Sequence, residues 1–236
     1  MVNRHTALKI RKTHRYLGLF IGIQFLFWTI SGLYFSWTNI DEIHGDQFKN
    51  LSYQPKNFTN LINPSQLDIP EGIGSIELRD LNNTPYYWVN NEQLYNAVNG
   101  QPKNNISEKE ALYIAQIHLK NDLEVTSIER IDEVDKHHEY REKLLPAYVI
   151  SYKNEEALKA YVSVKDGKFQ TVRHRAWRWF DFLWMTHTMD YEGRDNFNTI
   201  VLRAFSLMGI LTVLSGFTLG FTSSVSIRKI STFIKK

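Results

Sequence analysis

Leu17–Trp37 reads LGLFIGIQFLFWTISGLYFSW, and near the other end of the chain Thr199–Phe221 reads TIVLRAFSLMGILTVLSGFTLGF. As helices rising about 1.5 Å per residue, both are long enough to cross a hydrocarbon core about 30 Å thick. The first is preceded by Arg4, Lys9, Arg11, Lys12 and Arg15, with no acid among them. The second is followed by Arg228, Lys229, Lys235 and Lys236, again with no acid. An excess of Lys and Arg marks the cytoplasmic side of a span. The pattern therefore predicts two transmembrane helices, 17–37 and 199–221, with both termini inside. Residues 1–16 and 222–236 become cytoplasmic basic segments, 38–175 an external domain, and 176–198 an aromatic segment at the interface.

Charge follows the same division. The formal charge of the chain is +3. Between Thr38 and Arg175, however, 16 Lys and Arg face 21 Asp and Glu, so the external domain is slightly acidic. The basic residues sit where a membrane wants them, and no nucleic-acid partner is expected. The chain has no cysteine, which excludes disulfides, thiolate metal sites and thiol catalysis. The first apolar run is too long for a signal peptide core, and Ser36-Trp37-Thr38-Asn39 lacks a small-x-small cleavage pattern, so it reads as a retained anchor. The pairs Gly18/Gly22 and Gly216/Gly220 are Gly-x-x-x-Gly steps that let helices approach closely, within the chain or in a homodimer or other membrane complex.

The external domain carries a degenerate repeat. Pro85–Val89 followed by Tyr95–Gln101, and Pro146–Ile150 followed by Tyr161–Lys168, each read as two strands closing on an Asn-Gly or Asp-Gly turn. Between the repeats, Ser107-Glu108-Lys109-Glu110 is a capping box, and Ala111, Ile114, Ala115 and His118-Leu119 form the apolar stripe of the helix it opens. Val125–Val134 reads as a further strand, and Asp135–Glu139 as a polar loop. The expected fold is α+β, with two transmembrane helices bracketing a helix laid against antiparallel sheet.

These residues resemble the PepSY domain, whose pattern is a helix opening with Glu-x-Ala-x-x-x-Ala, then strands and a closing turn before Gly. Thr13-His14-Arg15-Tyr16-Leu17-Gly18, with Thr29-Ile30-Ser31-Gly32-Leu33, is similar to the first helix of PepSY-associated transmembrane proteins. Leu183-Trp184-Met185-Thr186-His187, with Leu214-Ser215-Gly216-Phe217, is similar to their later helix. Larger members have four or more spans, and only Glu192-Gly193-Arg194 remains of the motif that follows their Leu-His step. The resemblance implies a bacterial inner-membrane protein with an external domain. It further implies a b-type haem held by His14 and His187 and a link to reduction of iron or its chelates. Because those histidines flank opposite ends of the spans, one haem cannot take both, so a second copy or subunit must complete each site. Arg15, Arg178 and Trp184 are the accompanying candidates, the arginines for propionates or lipid phosphates and Trp184 for a ring edge. A non-enzymatic module that restrains a partner protein, or an accessory subunit of a larger membrane complex, are the competing readings. No cofactor fingerprint for nicotinamide or flavin is present, nor any hydrolytic motif.

Overall fold

The structure, a computed structural model, describes residues 4–223. The chain is α+β, with two antiparallel sheets and two long apolar helices. It divides into a helical unit, drawn from both ends of the chain up to Trp37 and from Asp181, and a central unit, Thr38–Phe180.

After α1 (Arg4–Trp37) the chain makes one helical turn, α2 (Ile40–Ile43), and enters the sheets of the central unit. Strands β1 (Ile76–Leu81), β2 (Thr84–Val89), β3 (Gln93–Asn96) and β4 (Pro102–Lys103) form one antiparallel meander. Helix α3 (Glu108–His118) follows. Strands β5 (Val125–Ile131), β6 (Ala147–Tyr152), β7 (Lys159–Ser163) and β8 (Phe169–Arg173) then form a second. Helix α4 (Arg175–Thr188) and helix α5 (Ile200–Ser223) complete the order. The repeat is thus a pair of four-stranded meanders. The paired part of each outlined second strand is shorter than its sequence outline, ending at Asn96 and Ser163.

Two hairpins are closed by paired asparagines, Asn82-Asn83 and Asn90-Asn91, all at φ between 54° and 63°. A tight type I′ turn needs positive φ at both central residues, and Asn tolerates it where most side chains do not. The Asn82-Asn83 turn brings β1 onto β2 in full register, Ile76 opposite Val89 and Leu81 opposite Thr84, and the Asn90-Asn91 turn brings β2 onto β3. Strands β1, β4 and β8 have no counterpart in the sequence outline.

Helix α3 begins at the expected capping box: the Ser107 N–H donates to the Glu110 carboxylate at 2.7 Å, and the Glu110 N–H to Ser107 Oγ at 3.4 Å. The helix packs on β1 of one sheet and on β6, β7 and β8 of the other. Its Ala111, Ile114 and Ala115 join Leu81, Trp88, Ile150 and Val162 in one buried cluster. Along β6 and β7 the alternate residues Ala147, Val149 and Tyr161 point the other way, where Tyr140 and Leu145 cover them. Period-two alternation with both faces covered explains why these strands are apolar almost throughout.

The turn after β7 has no room for a side chain. Gly167 has φ +64°, and a Cβ there would overlap Leu81 Cδ2 and press on Ile106 and Ile114. We expect Gly167→Ala to destabilise the central unit by about 2–4 kcal/mol, adding overpacking to left-handed backbone strain. Chemical denaturation of the purified chain would show it, whereas Gly72→Ala, at φ +78° but in open space, should lose only the strain part.

Candidate functional site

Both long helices are apolar enough to span a membrane, over Leu8–Trp37 and Ile200–Phe221. At about 51 Å, the 34-residue α1 exceeds the thickness of a hydrocarbon core. In such an environment an imidazole needs a partner, and each candidate histidine finds one on another helix of the helical unit.

His14 Nδ1, on α1, lies 2.7 Å from Ser215 Oγ on α5. His187 Nδ1, on α4, lies 2.8 Å from Ser31 Oγ on α1. Each serine hydroxyl also lies within hydrogen-bond reach of a carbonyl on its own helix, Ser215 Oγ 2.7 Å from the Thr212 carbonyl and Ser31 Oγ 3.0 Å from the Trp28 carbonyl. A hydroxyl that donates its one hydrogen to that carbonyl meets the histidine as an acceptor, and in that arrangement Nδ1 carries the ring hydrogen and Nε2 the lone pair. No hydrogen bond among the described residues engages either Nε2.

The glycine after each serine supplies the space. A side chain at Gly216 would start 3.2 Å from His14 Cε1, and one at Gly32 would start 3.5 Å from His187 Cε1. Each Ser-Gly step is therefore a seat for an imidazole, the serine orienting the ring and the glycine admitting it. The arrangement is crossed, since the histidine of one apolar helix sits on the step of the other. His187 is further held between Trp28, stacked at 4.8 Å, and Phe35, edge-on at 5.4 Å. Ser31 follows His14 by 17 positions on one helix, so the two seats are about 26 Å apart.

The end of α4 runs along α1, with Gln24 Nε2 donating to the Thr186 carbonyl at 3.1 Å and Trp184 edge-on to Phe35. The amide of Gln24 finds an acceptor this way. Trp184 also donates from Nε1 to Asp195 at 3.1 Å.

The other candidates divide. Arg15 sits beside His14 with its guanidinium 5.6 Å from the Tyr16 ring centre. Arg178 is held within the central unit, its Nε donating to Glu139 at 2.6 Å and its Nη1 to the Ala157 carbonyl. That engagement, invisible in the sequence, takes it away from an anionic ligand. Among the described residues, no atom beyond the chain neighbours and the helix's own backbone comes within 4 Å of where side chains would begin at Gly18, Gly22 or Gly220. The described residues contain no group of three or more His, Cys, Asp or Glu able to hold a bare metal ion. What they offer iron is one anchored imidazole nitrogen per seat, the donor a haem takes from a protein, with its far nitrogen oriented by a hydrogen bond.

Two further histidines belong to the core of the central unit. His118 donates from Nδ1 to the Ile114 carbonyl at 2.8 Å and stacks on Phe169. His174 is buried, with Nε2 3.2 Å from the Ile43 carbonyl and Nδ1 3.9 Å from Glu156. Burial lowers the pKa of both, against hydrogen bonds to those carbonyls that favour the charged form. The unfolded chain takes these protons near pH 6.5. Their contribution to stability is complete above that pH and is lost as pH falls through the lower folded values. Unfolding at pH 7.5 and 5.5 should show the loss, with a smaller difference in His174→Gln.

No protein-family model, curated protein or solved structure matches the chain.

Proposed function

We propose that this is a bacterial inner-membrane protein of the PepSY-associated transmembrane kind, a haem-b-binding electron-transfer subunit linked to extracytoplasmic reduction of iron or its chelates. The observation that carries the reading is the pair of crossed histidine seats, each with Nδ1 on a serine hydroxyl. Two independent histidines, each held through Nδ1 on a Ser-Gly step, are more than helix pairing requires, since one polar contact per pair would serve. The basic flanks put both termini inside and the central unit outside.

His14 and His187 would hold the haem iron, with Ser215 and Ser31 their orienting partners and Trp28 and Phe35 the walls that hold His187. A b-type haem bound there would supply a one-electron Fe(III)/Fe(II) couple. Each seat offers one nitrogen, so the second ligand comes from a homodimer partner or another membrane subunit. The open Gly18/Gly22 face of α1 and Gly220 of α5 are where a second set of helices would approach.

The test is the absorbance spectrum of detergent-purified full-length chain from haem-replete cells, before and after dithionite. A Soret band that sharpens and shifts on reduction, with haem in fixed ratio to chain, is the expected result. A colourless preparation that stays colourless on haem titration would end the reading.

A further inference from the structure

The helical unit holds a groove of about 1010 Å³ between α1 and α5, lined also by Met189 and Tyr191 from the connection between α4 and α5. On α1 the lining runs from Tyr16 to Phe27, about 17 Å of helix. That volume lies at the upper end of the range for ligand pockets, enough for a ring with an apolar chain behind it.

The walls are apolar, with Phe20 and Phe27 from α1 and Phe205 and Met208 from α5. One lining side chain breaks the pattern. Gln24 donates one N–H to the Thr186 carbonyl at 3.1 Å. A carbonyl only accepts, so the amide nitrogen is the atom on that side, and Oε1 is left for another donor. Among the described residues nothing donates to Oε1, and the second N–H has no acceptor.

Within hydrocarbon, an amide with an unmet donor and an unmet acceptor is costly. An acyl chain lying in the groove would leave both unmet. A quinone carbonyl would accept from the free N–H, and a quinol hydroxyl would donate to Oε1, so one amide serves both redox forms. The flat ring suits the phenyl walls, and an isoprenoid chain suits the apolar length beyond. Thr186 is the residue before His187, and Gln24 precedes Ser31 by seven positions. A ring at Gln24 therefore stands about 10 Å along α1 from the His187 seat.

We propose that this groove binds an isoprenoid quinone, its ring oxygens paired with the Gln24 amide and its chain lying between α1 and α5. The inference concerns binding alone and does not need haem.

The probe is an azido derivative of ubiquinone-1, photolysed with the full chain in detergent, the labelled peptides being located by mass spectrometry. Saturable labelling of 16–27 or 200–208, displaced by ubiquinone-1, is expected. Ala204→Phe fills the groove from α5 without touching a hydrogen bond, and should abolish the labelling. Leu207→Phe, exposed on the same helix but outside the groove, should label as wild type. Gln24→Leu should weaken displacement by ubiquinone-1 about tenfold, the scale of a lost hydrogen bond. The proposal is overturned by labelling spread evenly over both helices, or by unchanged labelling in Ala204→Phe. Equal displacement by 1,2,4,5-tetramethylbenzene, a ring without oxygens, or by a phosphatidylglycerol at the same mole fraction overturns it too, since the groove would then take any apolar body. The label reports on the groove and the Soret band on the histidine seats, so the two readings fail separately.

Discussion

Glu139→Ala is expected to loosen the central unit by about 3 kcal/mol, raising amide exchange in β6 and β7 about a hundredfold. Glu139 is mostly buried and accepts from the Tyr161 hydroxyl at 2.6 Å and from Arg178 Nε at 2.6 Å and Nη2 at 3.2 Å. Arg173 donates to its backbone carbonyl at 2.8 Å and lies over Trp177, 3.9 Å from the ring centre. Removing the carboxylate leaves a buried phenol without its acceptor and two guanidinium groups facing each other's charge. Arg178 is one-third exposed, so water screens part of the loss and the estimate sits at the low end for a broken buried pair. Tyr161→Phe removes the phenol while keeping the ion pair, and should cost about 1 kcal/mol. Exchange in Glu139→Ala within tenfold of wild type would show that the network contributes little.

The same carboxylate gives the central unit an acid limit. Burial alone would raise its pKa; the hydrogen bonds from Arg178 and Tyr161 and the charges of Arg178 and Lys159 outweigh that and hold it low. A carboxylate depressed in the folded state contributes stability above its unfolded pKa of about 4.3. That contribution fades as pH falls from about 5 through the lower folded value, and Glu139→Gln should lack this slope. Comparing Glu139→Gln with His174→Gln on one pH series assigns each slope to its group.

What the sequence made legible follows from how far apart the cooperating residues lie. Capping at Ser107, the apolar face of α3 and the Asp166-Gly167 turn are local patterns, and each is present as read. Strand β1 escaped because Ile76-Glu77-Leu78-Arg79 is mostly exposed, and its partner is fixed by the Asn82-Asn83 turn. That pair was a usable signal, because Asn-Asn between two alternating runs can supply the positive φ that a tight hairpin needs. Glu139, in a stretch that reads as a polar loop, becomes a core carboxylate only because Arg178 is delivered from 39 positions away. His14 and His187 and both Ser-Gly steps were visible, but their crossed assignment was not. Nothing local in Ser215-Gly216 says that it receives a ring from a residue 201 positions earlier.

That crossed assignment makes the largest functional effect a set of four substitutions with different outcomes. On the haem reading His14→Ala and His187→Ala would each remove one iron ligand, so each should abolish the pigment of its own seat, and the double variant should be colourless. Ser215→Ala and Ser31→Ala keep the ligand but delete the acceptor that holds Nδ1–H. The imidazole can then rotate or take the other tautomer, and haem affinity should fall about 10–100-fold, the usual effect of losing a ligand's orienting partner. Haem titration of the purified variants would read this directly, and the reduction potential of whatever remains bound should shift, because the Nδ1 hydrogen bond makes the ring a stronger donor. A seat that only paired helices would behave otherwise. A histidine–serine contact between membrane helices is worth about 1 kcal/mol, so histidine and serine variants would then lose the same small amount of stability and leave any pigment unchanged. Gly216→Val sharpens the distinction: its side chain would begin 3.2 Å from His14 Cε1, displacing the ring while leaving both hydrogen-bonding groups in the chain. Loss of pigment in that variant, with α5 still inserted, requires a ring held in one place for a ligand.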